Sequence, residues 1–180
     1  MSLLVAAVVL IGGISIVNLL LTLAVIRRLR DPAATGAGRA APPDLPELPA
    51  GSPVPAFQGQ TVSGQTVSAQ TTAGSAAVFA FFDTGCSSCK PAVPKLVNFA
   101  KKHALPAGQV IAVVGDNDGN AAEYIDALGD TATVIVEETM GNMARAFSLD
   151  SFPAFVIADA DGVIVRSGHG GTTLAAGLPA

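Results

Sequence analysis

The sequence predicts an α/β fold, a mixed β-sheet with helices on both faces, preceded by one N-terminal transmembrane helix. An uncharged apolar run at the start of the chain predicts the transmembrane helix. Beyond it, continuous apolar runs of strand length alternate with segments of helical periodicity, a pattern typical of a sheet with parallel central strands. Two final strand-like runs surround an Asp-Ala-Asp-Gly turn, so antiparallel strands are expected as well.

The N-terminal segment from Ser2 to Ile26 carries no charged side chain and consists mainly of Leu, Ile, Val and Ala. A helix of this length crosses about 30 Å of hydrocarbon. A cleaved signal peptide, the alternative, normally has a cationic start and a shorter apolar run of roughly 7–15 residues. We therefore predict a retained transmembrane anchor over residues 1–30.

Residues 31–50 are rich in Pro, Ala and Gly and are predicted to be a linker. Such a segment acts as a semi-rigid spacer of about 3 Å per residue where it is extended; the alternative is a disordered leader without a spacing role. Basic side chains follow the apolar run at Arg27, Arg28 and Arg30, and none precedes it. The positive-inside rule therefore favours a cytoplasmic location for the rest of the chain.

The remaining segment, residues 51–180, is long enough for one hydrophobic core and is predicted to be a single domain. From Ala40 onward, thirteen acidic side chains outnumber six basic ones. No basic patch or Arg-rich helix is present in the sequence, which argues against nucleic acid as a partner and against attraction to anionic lipid head groups.

The first half of this domain is predicted to contain a hairpin, a buried strand and a helix. Val54–Phe57 and residues 61–67 flank a Ser-Gly turn and predict the hairpin. Val78–Phe82 is continuously apolar and predicts a buried strand. Apolar side chains recur at helical spacing within Cys86–His103, and Pro94 implies a kink in this helix because proline lacks an amide hydrogen.

The second half continues to alternate strand and helix and ends in a hairpin and, at most, a brief final helix. Its predicted elements are, in order, the strand Val110–Val114, the helix Asn120–Leu128, the strand Val134–Val136, the helix Asn142–Phe147 and the hairpin strands Ala154–Ala158 and Val163–Arg166.

The chain has two cysteines, Cys86 and Cys89, which follow a predicted strand and begin a predicted helix. The free N–H groups at a helix start favour a thiolate on the first cysteine. In thiol–disulfide exchange a thiolate attacks a disulfide and a second thiol resolves the mixed disulfide. The pattern therefore predicts a redox dithiol, with Cys86 as the nucleophile and Cys89 as the resolving thiol.

Polar neighbours are expected to adjust the nucleophile. Lys90 and the hydroxyls of Ser87 and Ser88 would stabilise a thiolate, and Asp83 would oppose it. A static disulfide is the alternative interpretation of the two cysteines. A zinc site would need four ligands and would therefore have to recruit both histidines, His103 and His169, in addition to both cysteines. The sequence predicts no metal and no cofactor.

Four motifs resemble the thioredoxin superfamily, in particular its TlpA-like branch of membrane-anchored thiol–disulfide oxidoreductases. The membrane-anchored accessory proteins of methylamine utilisation are the most similar type. The resemblance implies a thioredoxin-like fold for residues 51–180. The motifs are Gly51–Phe57, Phe81–Lys90 with Pro94, Ser151–Phe155 and Asp161-Gly162.

The resemblance also implies roles for single residues. Pro153 matches the cis-proline that faces the CxxC motif in this superfamily, where the adjacent backbone pairs with a substrate peptide as an added strand. Phe152 would then line the substrate groove, and Pro94 would bend the active-site helix. The implied partners are protein thiol or disulfide substrates and a membrane electron donor, which favours the extracytoplasmic face in opposition to the arginines after the anchor.

The sequence departs from the superfamily at three positions around the dithiol. Gly85 replaces the familiar tryptophan before the first cysteine, and two serines separate the cysteines. Ala80 stands where thioredoxins hold a buried carboxylate that assists proton transfer to the second cysteine. Neither the reduction potential nor the resolving step can therefore be transferred from thioredoxin.

We predict a membrane-tethered thiol–disulfide oxidoreductase, with two alternatives. The first is a peroxiredoxin-like thiol peroxidase, although Asp83 occupies the place of the threonine that this class has three residues before its reactive cysteine. The second is a copper carrier that uses both cysteines and His169, since Cu(I) prefers soft thiolate and imidazole ligands.

Overall fold

The computed structural model describes Val5, Leu10, residues 12–22 and residues 48–178. Residues 12–22 form helix α1, and none of the helices described is both long and apolar enough to span a bilayer. Most of the predicted linker and parts of the predicted anchor lie outside the described residues. The chain divides into two units, Met1–Pro43 and Asp44–Ala180, and the second contains the sheet.

The sheet of the second unit has five strands in the spatial order β5-β4-β3-β6-β7. Strand β3 pairs in parallel with β4, and β4 in parallel with β5, whereas β6 and β7 are antiparallel to their neighbours. The predicted mixed sheet is therefore confirmed. The strands are β3 (Ala77–Asp83), β4 (Val110–Gly115), β5 (Thr133–Glu137), β6 (Ala154–Ala158) and β7 (Ile164–His169).

The predicted N-terminal hairpin is present, but its first strand begins later than predicted. Strand β1 (Gln58–Gln60) pairs antiparallel with β2 (Thr66–Ser68). The predicted strand Val54–Phe57 instead runs beside the last hairpin, where the Val54 N–H donates to the Gly162 carbonyl at 2.8 Å. Pro55 in this segment and Pro53 just before it lack the amide hydrogens that a regular strand pairing needs, which explains the shift.

Helices cover both faces of the sheet, as predicted. On one face α2 and α3 pack against Val78, Ala80 and Phe82, and on the other α4 packs against Phe79 and Phe81. The opposite orientation of successive side chains along β3 produces this division. The helices are α2 (Val93–Lys102), α3 (Ala121–Leu128), α4 (Asn142–Ala146) and α5 (Thr172–Ala175).

Aromatic side chains fill the core on the α4 face. Phe147, directly after α4, is fully buried. Its ring centroid lies 5.0 Å from that of Phe79 and 5.0 Å from that of Phe81. Burying one such side chain stabilises a fold by about 1.5–3 kcal/mol, so this cluster holds α4 firmly against the central strand.

The active-site helix begins later than predicted. Cys86–Cys89 form a turn, a 3₁₀ segment spans Lys90–Ala92, and the α-helix starts at Val93. Pro94 is thus the second residue of α2, where no intrahelical partner exists for an amide hydrogen and proline fits without loss. The change from 3₁₀ to α geometry just before Pro94 takes the place of the kink predicted inside a single helix.

Candidate active site

The two cysteines lie at the carboxyl end of β3, in the turn that leads to α2. Cys86 is half-buried and Cys89 has no exposed surface, and both thiols are free. Successive reverse-turn hydrogen bonds, from the Cys89 N–H to the Cys86 carbonyl and from the Ala92 N–H to the Cys89 carbonyl, wind this segment. The turn therefore exposes the first sulfur and buries the second.

Hydrogen bonds make Cys86 the more acidic thiol. Its Sγ lies 3.1 Å from the Ser88 hydroxyl oxygen. Partial burial raises the pKa of Cys86, but hydrogen bonds from the Cys89 thiol, the Ser88 hydroxyl and the backbone amides of Ser88 and Cys89 outweigh it, so the pKa lies below its ordinary value. Hydrogen bonds that favour the charged form have this effect, and they make Cys86 the better nucleophile.

Cys89 has the opposite electrostatic environment. Burial raises the pKa of the Cys89 thiol well above its ordinary value, and its hydrogen bond to Cys86 and the negative charges nearby raise it further. The Asp83 N–H, which donates to Cys89 Sγ at 3.4 Å, partly compensates. Cys89 consequently stays protonated and donates to the sulfur of Cys86.

Asp83 anchors the turn from within the protein, a role that the sequence did not reveal. Its side chain is buried, and its carboxylate accepts hydrogen bonds from the Gly85 N–H at 2.9 Å and from the Thr139 hydroxyl. We expected this carboxylate to oppose a thiolate at Cys86. Its negative charge instead raises the pKa of Cys89 and does not contribute to the pKa of Cys86. The sequence feature that could have indicated this role is an acidic residue at the end of a continuously apolar strand.

A second carboxylate connects the turn to α3. Asp116 accepts hydrogen bonds from the Thr84 hydroxyl at 3.1 Å and from backbone amides at the start of α3, including that of Ala121 at 2.9 Å. Desolvation raises the pKa of Asp116, but these hydrogen bonds outweigh it and lower the pKa. The start of the active-site turn is therefore fixed to neighbouring elements by both carboxylates.

Tyr124 of α3 completes the floor of the site and was also not predicted as a site residue. It is buried, and its hydroxyl donates to the Asp83 carbonyl at 3.2 Å. Burial, followed by the nearby charges of Cys89 and Cys86, raises the pKa of Tyr124 to about 12. Tyr124 therefore acts as a neutral hydrogen-bond donor below the dithiol.

The structure gives the predicted supporting residues different partners. Ser88 contacts Cys86, as described above, whereas Ser87 is exposed. Lys90 forms an ion pair with Glu123 of α3, with 2.5 Å between Nζ and Oε1. Hydrogen bonds, with no contribution from Lys90, account for the lowered pKa of Cys86.

The Phe152–Pro153 segment faces the nucleophile from the start of β6. The peptide bond between them is cis, as the resemblance implied. The Cys86 thiol donates to the Phe152 carbonyl at 3.4 Å, although 66 positions separate these residues along the chain. The Phe152 side chain is half-buried and packs against both sides of the core. The structure thus brings together Cys86, Cys89 and the predicted substrate-binding pair.

His169 lies at the end of β7, opposite Ala154 in the strand register. Its Nδ1 is 3.2 Å from the hydroxyl oxygen of Ser151, so it supports the loop that precedes Phe152. In the parts of the chain that the structure describes, no three potential ligands from His, Cys, Asp or Glu cluster together. The copper-carrier alternative thus gains no support from this geometry.

A model of the Redoxin family matches residues 49–174, which include every element of the sheet and the dithiol turn. The chain belongs to the Redoxin family. This membership confirms the predicted enzyme class at the level of the family and the superfamily resemblance, while the methylamine-utilisation subtype remains a prediction. No curated protein sequence is significantly similar to this Redoxin-family chain.

Solved structures show the same fold. A thioredoxin domain of a thiol-disulfide oxidoreductase from Bacteroides vulgatus has a TM-score of 0.60 at 22% identity, covering 71% of this chain and 93% of that one. A thioredoxin-family thiol:disulfide interchange protein from Chlorobium tepidum has a TM-score of 0.56 at 24% identity, covering 77% of this chain and 92% of that one. An exposed lipoprotein thioredoxin from Streptococcus pneumoniae has a TM-score of 0.51 at 21% identity, covering 67% of this chain and 96% of that one. The thioredoxin-like fold is therefore confirmed.

Proposed function

We propose that this chain is a thiol–disulfide oxidoreductase that exchanges disulfides with protein cysteines through Cys86 and Cys89. The difference between the two thiols carries the proposal: Cys86 is accessible with a lowered pKa, and Cys89 is buried with a raised pKa. An exchange enzyme needs this asymmetry because one sulfur must attack the substrate as a thiolate, and the other must attack only after the mixed disulfide has formed. Family membership and the similar fold of a thiol-disulfide oxidoreductase domain support it.

The reductive reaction follows from this arrangement. The Cys86 thiolate attacks one sulfur of a substrate disulfide, forming a mixed disulfide and releasing the other sulfur as a thiolate that takes a proton from solvent. Cys89 then loses its proton and attacks Cys86 Sγ, which releases the second substrate thiol and forms the Cys86–Cys89 disulfide. Two electrons pass from the dithiol to the substrate; the oxidase direction is the exact reverse.

We assign Phe152 and Pro153 to the binding of the substrate backbone. The Phe152 carbonyl already accepts a hydrogen bond from the Cys86 thiol. A substrate chain lying along this segment would place its own cysteine beside the nucleophile and add a strand-like pairing. The half-buried ring of Phe152 would favour apolar residues next to that cysteine.

The proposed setting is a membrane, with residues 1–30 as an anchor, residues 31–50 as a linker and residues 51–180 as the enzyme. The uncharged run from Ser2 to Ile26 supports the anchor. We place the enzyme on the extracytoplasmic face, where one similar protein is an exposed lipoprotein thioredoxin. Enzymes that reduce proteins in such an oxidising compartment need electrons from the membrane, so a membrane electron donor is the proposed partner.

Trapping of mixed disulfides tests the exchange mechanism. In Cys89→Ser the resolving thiol is absent, so adducts through Cys86 should accumulate with a protein disulfide such as insulin and should disappear on reduction. The matched control is Cys86→Ser, which keeps only the buried thiol. Equal adduct yields from the two variants would show that Cys86 is not the nucleophile.

A further inference from the structure

A cleft of about 530 Å³ opens beside Cys86 on the side that faces α3. Its volume lies within the roughly 300–1,000 Å³ typical of small-molecule sites. The active-site turn and the first turn of α3 form its walls. Phe152 and Pro153 approach Cys86 from β6 instead and do not line the cleft. The cleft and the Phe152–Pro153 segment therefore lie on different sides of Cys86.

Small residues on both walls keep this cleft open. Gly85 precedes the nucleophile, and a Cβ there would meet within 4 Å only Asp83 Oδ1, at 3.2 Å. Gly119 and the exposed Ala122 form part of the opposite wall. A larger side chain at Ala122 would occupy part of the cleft.

The charges on the cleft wall indicate the kind of ligand. Lys90 and Glu123 both line it, and their side chains are 65% and 63% exposed. An ion pair this exposed contributes little to stability, so its two charges are free to exchange partners. An adjacent ammonium and carboxylate match the adjacent carboxylate and ammonium of an amino acid, and the Asn120 amide adds further hydrogen-bonding groups.

We propose that the cleft binds the disulfide of an amino-acid or short-peptide thiol as a second class of substrate, a proposal that rests on the exchange function above. The Cys86 thiolate attacks the small disulfide, forms a mixed disulfide and releases one small thiolate, which takes a proton from solvent. Cys89 loses its proton to solvent and attacks Cys86 Sγ, which releases the second small thiolate. The dithiol is oxidised by two electrons and the small disulfide is reduced to two thiols.

Single-turnover oxidation of the fully reduced protein tests this substrate class. The probes are cystine, which carries both charges at each end, the uncharged 2-hydroxyethyl disulfide, and insulin as a protein disulfide. Ala122→Phe should slow oxidation by cystine by about fivefold and leave oxidation by insulin within about twofold, since the added ring fills the cleft only. The matched control is Ala175→Phe, at an exposed position of α5 outside the cleft, which should change neither rate.

The charge contribution has its own variant. In Lys90→Met the ratio of the cystine rate to the 2-hydroxyethyl disulfide rate should fall by about twofold to fivefold, the range expected for one exposed charge contact. An unchanged ratio, or an Ala122→Phe variant that slows insulin as much as cystine, would overturn the small-disulfide assignment and leave the exchange function intact. Failure of all three disulfides to oxidise the wild-type protein would instead overturn the exchange function itself.

Discussion

At the scale of single residues, the two thiols differ because of their positions in one tight turn. Cys86 receives hydrogen bonds from Ser88 and from the backbone, whereas Cys89 is enclosed beneath it and held by the Asp83 amide. The chemistry of the CxxC motif is visible in the sequence. The identity of the groups that tune it is not, since Lys90, the expected cation, pairs with Glu123.

Ser88 and Ser87 provide a matched test of this tuning. Ser88→Ala removes a hydrogen bond that favours the Cys86 thiolate, so the pKa of Cys86 should rise and the pH midpoint of its alkylation by iodoacetamide should move upward. At pH values below that midpoint the variant should react more slowly. Ser87→Ala, at an exposed position, should leave the midpoint in place; equal shifts in both variants would contradict the assignment to Ser88.

At the scale of elements, the core on the α4 face positions the segment that faces the dithiol. Phe147 packs between Phe79 and Phe81, and α4 and the loop after it precede Phe152 in the chain. The sequence predicted a helix over Asn142–Phe147, where the structure has α4. It did not predict the start of α2, because turn and 3₁₀ hydrogen bonds replace α-helical ones between Cys86 and Ala92.

Truncation of Phe147 should therefore be costly. Phe147→Ala leaves a cavity between β3 and α4, and we expect it to lower the free energy of unfolding by about 3–5 kcal/mol, measured by urea denaturation of the reduced domain. Val62→Ala, at a site 54% exposed in the β1–β2 hairpin, serves as the control and should change stability by less than about 0.5 kcal/mol. Similar losses in both variants would show that the aromatic cluster does not hold α4.

At the scale of the whole molecule, the proposed arrangement is a redox domain held at a membrane surface. The family resemblance and the arginines after the apolar N-terminal run lead to opposite expectations for the side on which the domain lies. The fold of the domain does not indicate on which side of the membrane it lies. The location depends on the direction in which the proposed anchor inserts. The redox partners differ, because thiols are kept reduced in the cytosol and are oxidised outside it.

Labelling of Cys86 decides the location. In cells treated with an impermeant reductant, a membrane-impermeant maleimide should modify the full-length protein at Cys86 before lysis, because this thiol is accessible and more acidic than Cys89. Cys86→Ser should lose the label. Modification of Cys86 only after lysis would place the domain in the cytoplasm and overturn the extracytoplasmic assignment.

The sequence by itself determined the features that depend on neighbouring residues. Apolar runs and helical spacing predicted the strands and helices, and the strand followed by Cys86 and Cys89 predicted the redox turn. The proximity of Pro153 to that turn followed only from the family resemblance. These features are local, since side-chain periodicity records which face of an element is buried.

The tertiary structure alone decided which groups surround the dithiol. Thr139 reaches Asp83 across 56 positions of the chain, Tyr124 reaches it across 41, and the Phe152 carbonyl reaches Cys86 across 66. Periodicity specifies a buried face but not the element that will cover it. These contacts appear only when the parallel strands bring their carboxyl ends to one edge, where the start of the antiparallel strand β6 also lies. The open cleft beside Gly85 has the same origin, because its second wall belongs to α3.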